Sequence, residues 1–234
     1  MNQKVDRSVG LTSTASLAPG TGSDPAAHWQ ASWAGRDPEE TSWYSEGPIG
    51  LLGDVIDSIE PTESVIDVGG GASLLVDQLL DRGFVDVTVL DIAAAALDGA
   101  QRRLGPRAAT ATWLHADIVD WNPERSYGLW HDRAVFHFLT DAAHRRAYVQ
   151  AATQAVRPGG ALVISTFAPD GPEQCSGLAV RRWSADDLVA QFVPAFQPTG
   201  SWESTHETPW GTDQRFTTVV LHRGLIQTAS SVDH

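Results

Sequence analysis

Four aspartates and a run of three glycines carry the chemistry that this sequence advertises. Asp67, Asp91, Asp117 and Asp132 each stand at or near the end of a short apolar run, and Gly69-Gly70-Gly71 follows the first of them. Glycine tolerates a sharp turn and lets a ligand lie against the backbone. A carboxylate offers several acceptor sites, so one aspartate can hold both hydroxyls of a ribose. Ligands of open α/β sheets bind outside the carboxyl ends of the strands, where residues distant in sequence gather. The pattern therefore predicts a nucleotide-like cofactor cleft, with Asp91 on its ribose.

The segments between these residues have the periodicities needed to position them. Val65-Ile66-Asp67-Val68, Val85 to Asp91, Trp113 to Asp117, Tyr127 to Asp132 and Ala161 to Phe167 read as buried parallel strands. Helices are expected from Pro48 towards Ile59, from Leu74 to Leu80, from Ala94 to Leu104 and from Asp141 to Val156. Arg157-Pro158-Gly159-Gly160 reads as a stop and turn, and 168–177 as a loop. Ser184 and Asp187 form a capping-box pair at the start of a further helix. Two late strands, Gly200 to Glu207 and Arg215 to His222, are close enough to form an antiparallel hairpin. The fold class is α/β: a mostly parallel sheet, helices on both faces, and an antiparallel end.

Composition narrows the partners. Sixteen Lys and Arg against 29 Asp and Glu give a net charge of -13, which opposes nucleic acid and anionic membrane surfaces. No apolar run is long enough to span a bilayer, and the opening residues lack the apolar core of a secretion signal. Cys175 is the single cysteine, so no intramolecular disulfide forms; this fits a cytoplasmic protein. The histidines and acids make no short metal-ligand cluster, and no metal is expected. We expect one domain over 25–226, flanked by flexible tails at 1–24 and 227–234, and a monomer, since no feature favours an oligomer.

Two familiar nucleotide motifs fit poorly. Gly69 and Gly71 match the first two positions of a dinucleotide-binding G-x-G-x-x-G, but Leu74 occupies the third, and the Gly-Lys-Ser/Thr ending of a phosphate-binding loop is missing. Trp29 and Trp33 stand four apart, so a helix would put both on one face. With Trp43 and Tyr44 they form either a packing lid or an aromatic cover over a ligand.

In order, Val65-Ile66-Asp67-Val68-Gly69-Gly70-Gly71, Val89-Leu90-Asp91-Ile92, Ala116-Asp117-Ile118 and Val156-Arg157-Pro158-Gly159-Gly160-Ala161-Leu162 resemble the class I S-adenosylmethionine-dependent methyltransferase family. The resemblance spans roughly Pro48 to His222. It implies a Rossmann-like three-layer sandwich whose seven-stranded sheet has one antiparallel strand, with an N-terminal helical cover. It implies S-adenosylmethionine as cofactor: Asp67, Gly69, Gly70 and Gly71 at its aminoacid part, Asp91 at the ribose, Ile92, Asp117 and Ile118 at the adenine, and Trp33 and Trp43 in the cover. It also places the catalytic mouth at 132–137, where Asp132 would orient the acceptor or a water, Phe136 would pack against it and His137 would accept a proton.

The expected activity is direct methyl transfer to a small-molecule nucleophile. Protein-lysine methylation is the enzymatic alternative, because Asp132-Arg133 resembles the start of the corresponding segment in some protein-lysine methyltransferases, although Ala134-Val135-Phe136-His137 departs from it. A noncatalytic S-adenosylmethionine-binding interaction protein is the third reading, since fold does not compel turnover.

Overall fold

The computed structural model describes residues 24–35, 41 and 52–225. The expectations for Trp43, Tyr44 and Pro48 and for nearly all of both tails lie outside these residues. Seven strands form one sheet: β1 (Val65–Val68), β2 (Val87–Asp91), β3 (Ala111–His115), β4 (Tyr127–Arg133), β5 (Val156–Phe167), β6 (Phe196–Glu207) and β7 (Asp213–Arg223). Their order is β3-β2-β1-β4-β5-β7-β6. The first five pair in parallel, and β7 runs antiparallel to both β5 and β6. The chain thus has the expected mostly parallel sheet with one antiparallel strand.

All four residues of β1 and all five of β2 are buried, because helices cover both faces of the sheet. Successive side chains alternate between two cores. On one face, Ile66, Val68, Trp130, Leu162 and Ile164 pack with Tyr148 and Ala152 of α5 (Ala142–Ala155) and with Trp183 and Phe192. On the other, Val65, Val87, Val89, Leu129 and Val163 pack with α2 (Leu52–Asp57), α3 (Leu75–Asp81) and α4 (Ala94–Leu104) through Ile56, Val76, Leu79 and Leu97. Each fully buried Leu or Ile stabilises the fold by about 1.5–3 kcal/mol. A single slip in strand register would send Asp67 into the α5 core and Ile66 out of it.

Helix boundaries follow local chemistry. Asp141 caps α5, accepting from the amides of Ala143 at 2.6 Å and His144 at 3.4 Å. Ser184 caps the short α6 (Ala185–Val189), accepting from the Asp187 amide at 3.2 Å while its hydroxyl donates to the Asp187 carboxylate. The first described helix, α1 (Pro25–Trp33), has no buried residue. It is tied to the body by the Ala95 amide, which donates to Gln30 Oε1 at 3.1 Å, and by Trp29 edge-on to Phe138 at 5.0 Å.

One turn expectation is corrected. Arg157-Pro158-Gly159-Gly160 does not separate α5 from a strand starting at Ala161; it lies inside β5. Val156 pairs with Tyr127 and Ala161 with Leu129, so the tetrapeptide is accommodated as an irregularity in one strand. Gly159 takes φ 76°, a left-handed conformation that glycine adopts without strain, and Arg157 anchors the irregularity on Glu63. A two-residue ladder, Gln174–Cys175 with Leu178–Ala179, also interrupts the expected loop after β5.

Candidate cofactor and acceptor site

The glycine turn is built against two carboxylates. Gly69 leaves β1 with φ 69° and donates its amide to Leu90 O at 2.7 Å, locking the turn to β2. A Cβ at Gly70 would overlap the Asp67 carboxylate, and one at Gly71 would stand 2.5 Å from both Asp91 Oδ2 and the Ala96 methyl. Any side chain at these positions must displace the acids beneath the turn. Close packing of the turn on these acids is why Gly70 and Gly71 are there.

Asp91 ends β2 with its carboxylate gripped by backbone: Oδ2 accepts from the Gly71 amide at 3.0 Å and Oδ1 from the Ala93 amide at 2.8 Å. Burial pushes its pKa up to about 6, opposed by those two hydrogen bonds. Asp67 is 1% exposed, and its Oδ1 lies 2.7 Å from His131 Nδ1. Its Oδ2 is buried with no hydrogen-bond partner among the described residues. A buried, unmatched carboxylate oxygen beneath a glycine turn suits a ligand that brings a donor. Asp117 Oδ1 accepts from the Val119 amide at 3.0 Å, fixing the turn after β3.

A cavity of about 400 Å³ opens at the carboxyl ends of these strands. Its volume lies within the range of small-molecule sites. One part is lined by Val68, Gly69, Leu90, Asp91, Ile92, Asp117 and Ile118. The other is lined by Trp29, Trp33, Arg133, Ala134, Phe138, Leu139, His144, Cys175 and Leu178. Of the residues singled out from sequence, Trp33, Gly69, Asp91, Ile92, Asp117 and Ile118 meet on this wall. Asp67, Gly70 and Gly71 form the turn and its support. Ala134 holds φ 77°, unusual for a residue with a Cβ, and donates its amide to Ser165 O at 2.8 Å. This bend carries the chain from β4 across the cavity floor.

Asp132 and His137, the expected catalytic pair, are buried and do not line that wall. Asp132 is fully buried on the α5 face of the sheet: Oδ1 accepts from the Val135 amide at 2.8 Å, and Oδ2 from the Phe136 amide at 3.2 Å and the Tyr148 hydroxyl at 2.5 Å. Trp130 Nε1 donates to the same hydroxyl at 3.0 Å. Burial pushes the Asp132 carboxyl up to about 6. These bonds make it a clamp on the 135–136 turn. Phe136 packs edge-on against Tyr148, in the core rather than the mouth.

His137 is buried between Phe138 and Phe167, whose rings lie 4.4 and 4.6 Å away. Its Nδ1 accepts from the Phe167 amide at 3.3 Å, which leaves the proton of the neutral ring on Nε2. Burial, helped by the charge of Arg133, drives its pKa down to about 3. A ring held neutral, with its acceptor nitrogen in use, is a poor proton acceptor. Cys175 is likewise a thiol at neutral pH, pushed up to about 11 by burial.

Two residues absent from the sequence-derived site belong to it structurally. His131 supports Asp67, and Arg133 lines the second part of the cavity. Alternation along β4 was the available signal, because Leu129, His131 and Arg133 share the face that Asp67 presents from β1.

Residues 65–160 match a family model described as a methyltransferase domain. A malonyl-[acyl-carrier protein] O-methyltransferase of Paenibacillus sp. (strain JDR-2) is 31% identical over 111 residues, which are 45% of this chain and 39% of that protein. The chain therefore matches about two fifths of the length of this curated relative. Among solved structures, an S-adenosylmethionine-dependent methyltransferase from Anabaena variabilis superposes with a TM-score of 0.67 at 17% identity, covering 89% of this chain and 98% of the other. The N-methyltransferase NodS from Bradyrhizobium japonicum, in complex with S-adenosyl-L-homocysteine, gives a TM-score of 0.62 at 14% identity, covering 86% and 99%. Residues 65–160 are thus similar to a methyltransferase domain, and the strand order over the described residues gives the chain the fold of these S-adenosylmethionine-dependent methyltransferases.

Proposed function

We propose that this protein transfers a methyl group from S-adenosylmethionine to a small-molecule nucleophile. The observation that carries the reading is one continuous cavity whose wall joins Asp91, Ile92 and Asp117 to Trp29, Trp33, Phe138 and Leu178. When bound, the cofactor supplies an electrophilic methyl on a positively charged sulfur. Asp91 receives the ribose hydroxyls, Ile92 and Ile118 flank the adenine, and Asp117 takes its amino group. The glycine turn and the free oxygen of Asp67 receive the aminoacid part, whose ammonium provides the donor that oxygen lacks. The tryptophans and Phe138 keep water from the reacting atoms, and holding both reactants in line supplies the acceleration.

The acceptor part speaks against a lysine substrate. Its described wall is mostly apolar and includes Arg133, whereas the lining carboxylates, Asp91 and Asp117, lie in the cofactor part. The named relatives act on different atoms, an O-methyltransferase and an N-methyltransferase, so they support methyl transfer without fixing the acceptor.

Incubation with methyl-labelled S-adenosylmethionine, a metabolite extract and a protein extract, followed by mass spectrometry, tests the reading. The expected result is label in a small molecule with matching S-adenosylhomocysteine. Label confined to one lysine of a protein would establish the alternative substrate class. Tight cofactor binding without product across both extracts would favour the noncatalytic role.

A further inference from the structure

Asp67 and His131 stand opposite each other in the register of β1 and β4, and Val163 of β5 flanks His131 on its other side. Both are buried, at 1% and 6% exposure. An ionised carboxylate only accepts, so the 2.7 Å contact between them is a hydrogen bond donated by His131 Nδ1 to Asp67 Oδ1. That bond makes the two oxygens of Asp67 unlike. Oδ1 is occupied, whereas Oδ2 is buried beneath the glycine turn with no hydrogen-bond partner among the described residues. It lies so close to the turn that a Cβ at Gly70 would stand 2.3 Å from it. The negative charge of Asp67 is also felt at Asp91, where it adds to the larger effect of burial in raising the pKa. Two neighbouring acids under one turn suit a ligand that brings a cation.

The ammonium of the cofactor's aminoacid part is the donor assigned above to Oδ2, and the strength of that contact depends on where Oδ2 points. The strand fixes only the Asp67 backbone, while the side chain still turns about two bonds. A hydrogen bond from a histidine locked between β1 and β5 fixes the carboxylate itself. We propose that His131 is a positioning residue for the cofactor: it holds Oδ1, presents Oδ2 to the glycine turn, and so makes binding depend on the ammonium. Without the Nδ1 donor, both oxygens of a buried carboxylate lack partners, and nothing on β4 sets their orientation. This inference rests on the methyltransferase reading and deepens its cofactor site. His131 does not line the main cavity, so it acts through Asp67 and not on the ligand directly. Low-dielectric surroundings strengthen both links of the chain from His131 to Asp67 to ammonium.

The test is calorimetric titration of the full chain with three ligands. They are S-adenosylhomocysteine, its deaminated analogue, which keeps the carboxylate and lacks the ammonium, and 5′-methylthioadenosine, which lacks the whole aminoacid part. The wild-type chain should bind S-adenosylhomocysteine at least about tenfold tighter than the deaminated analogue, the margin expected of a charge-assisted contact. In His131→Leu that preference should fall to within about threefold, while affinity for 5′-methylthioadenosine stays within about twofold. His131→Asn, whose side-chain amide can donate in place of Nδ1, should keep most of the preference. No preference in the wild-type chain, a full preference in His131→Leu, or an equal loss of all three ligands in that variant would overturn the proposal; the last would mark His131 as merely structural. The wild-type comparison needs no variant, so a misfolded substitution does not shield the idea. Failure of the wild-type chain to bind either S-adenosylhomocysteine or 5′-methylthioadenosine is a separate result, and it would remove the cofactor reading together with this one.

Discussion

The two parts of the cavity are built by different means. In the cofactor part, β1 and β2 bring backbone amides to carboxylates: Gly71 and Ala93 to Asp91, with Asp67 directly beneath Gly70. In the acceptor part, side chains from α1, the end of β4, the 136–139 turn and the short ladder after β5 meet without a shared backbone motif. Backbone geometry tolerates little change in residue type. A wall of packed side chains admits many solutions, so the cofactor part is specified by a few obligatory residues and the acceptor part by their surroundings.

The sharpest way to break that contrast is at Gly71. Gly71→Val should abolish binding of S-adenosylhomocysteine, weakening it by more than about 100-fold, because its branched side chain would collide with Asp91 and Ala96. Calorimetry on the folded variant checks this; near-normal affinity would mean that the turn is not the cofactor cradle.

Asp132 probes the support beneath the acceptor part. Asp132→Ala strands the amides of Val135 and Phe136 and the Tyr148 hydroxyl inside the core, and should cost about 3–5 kcal/mol of folding stability. Urea denaturation measures it. A loss under about 1 kcal/mol would contradict the clamp assigned here and reopen a role in chemistry.

The smallest effect expected is in pH. The ribose role proposed for Asp91 needs a carboxylate, and its pKa in the ligand-free protein is about 6. Affinity for S-adenosylhomocysteine should therefore be level above about pH 6.5 and fall below pH 6, by at most tenfold per pH unit. The same raised pKa acts oppositely on folding. Between about pH 4 and 6 the native state holds a proton that the unfolded chain has released, so Asp91 makes the ligand-free protein less stable as pH rises through that window. Opposite trends in affinity and ligand-free stability are the signature; affinity that is flat from pH 5 to 7 would exclude it.

Much of the cofactor part was legible because its requirements are local. Val65 to Gly71 needs a buried strand followed by a turn without side chains, and twenty residues later Asp91 must close on that turn. Each requirement leaves a mark in residue type and spacing. The mouth of β4 was less legible because Asp132 and His137 have residue types that serve catalysis and burial equally. Only the partners of Asp132, two amides and the Tyr148 hydroxyl, show which of the two applies.

What the sequence by itself determined, then, was the layered α/β fold, the order of its helices and strands, and the acids and glycines that meet at the carboxyl ends of β1 and β2. Tertiary structure decided the rest: that Arg157-Pro158-Gly159-Gly160 bends one strand instead of ending an element, that His131 supports Asp67, and that Arg133 rather than His137 lines the cavity. The reason is the two-residue period of a strand. Neighbours in sequence point to opposite faces, so which of His131, Asp132 and Arg133 meets the ligand depends on the register of β4 between β1 and β5, and only the assembled sheet fixes that register.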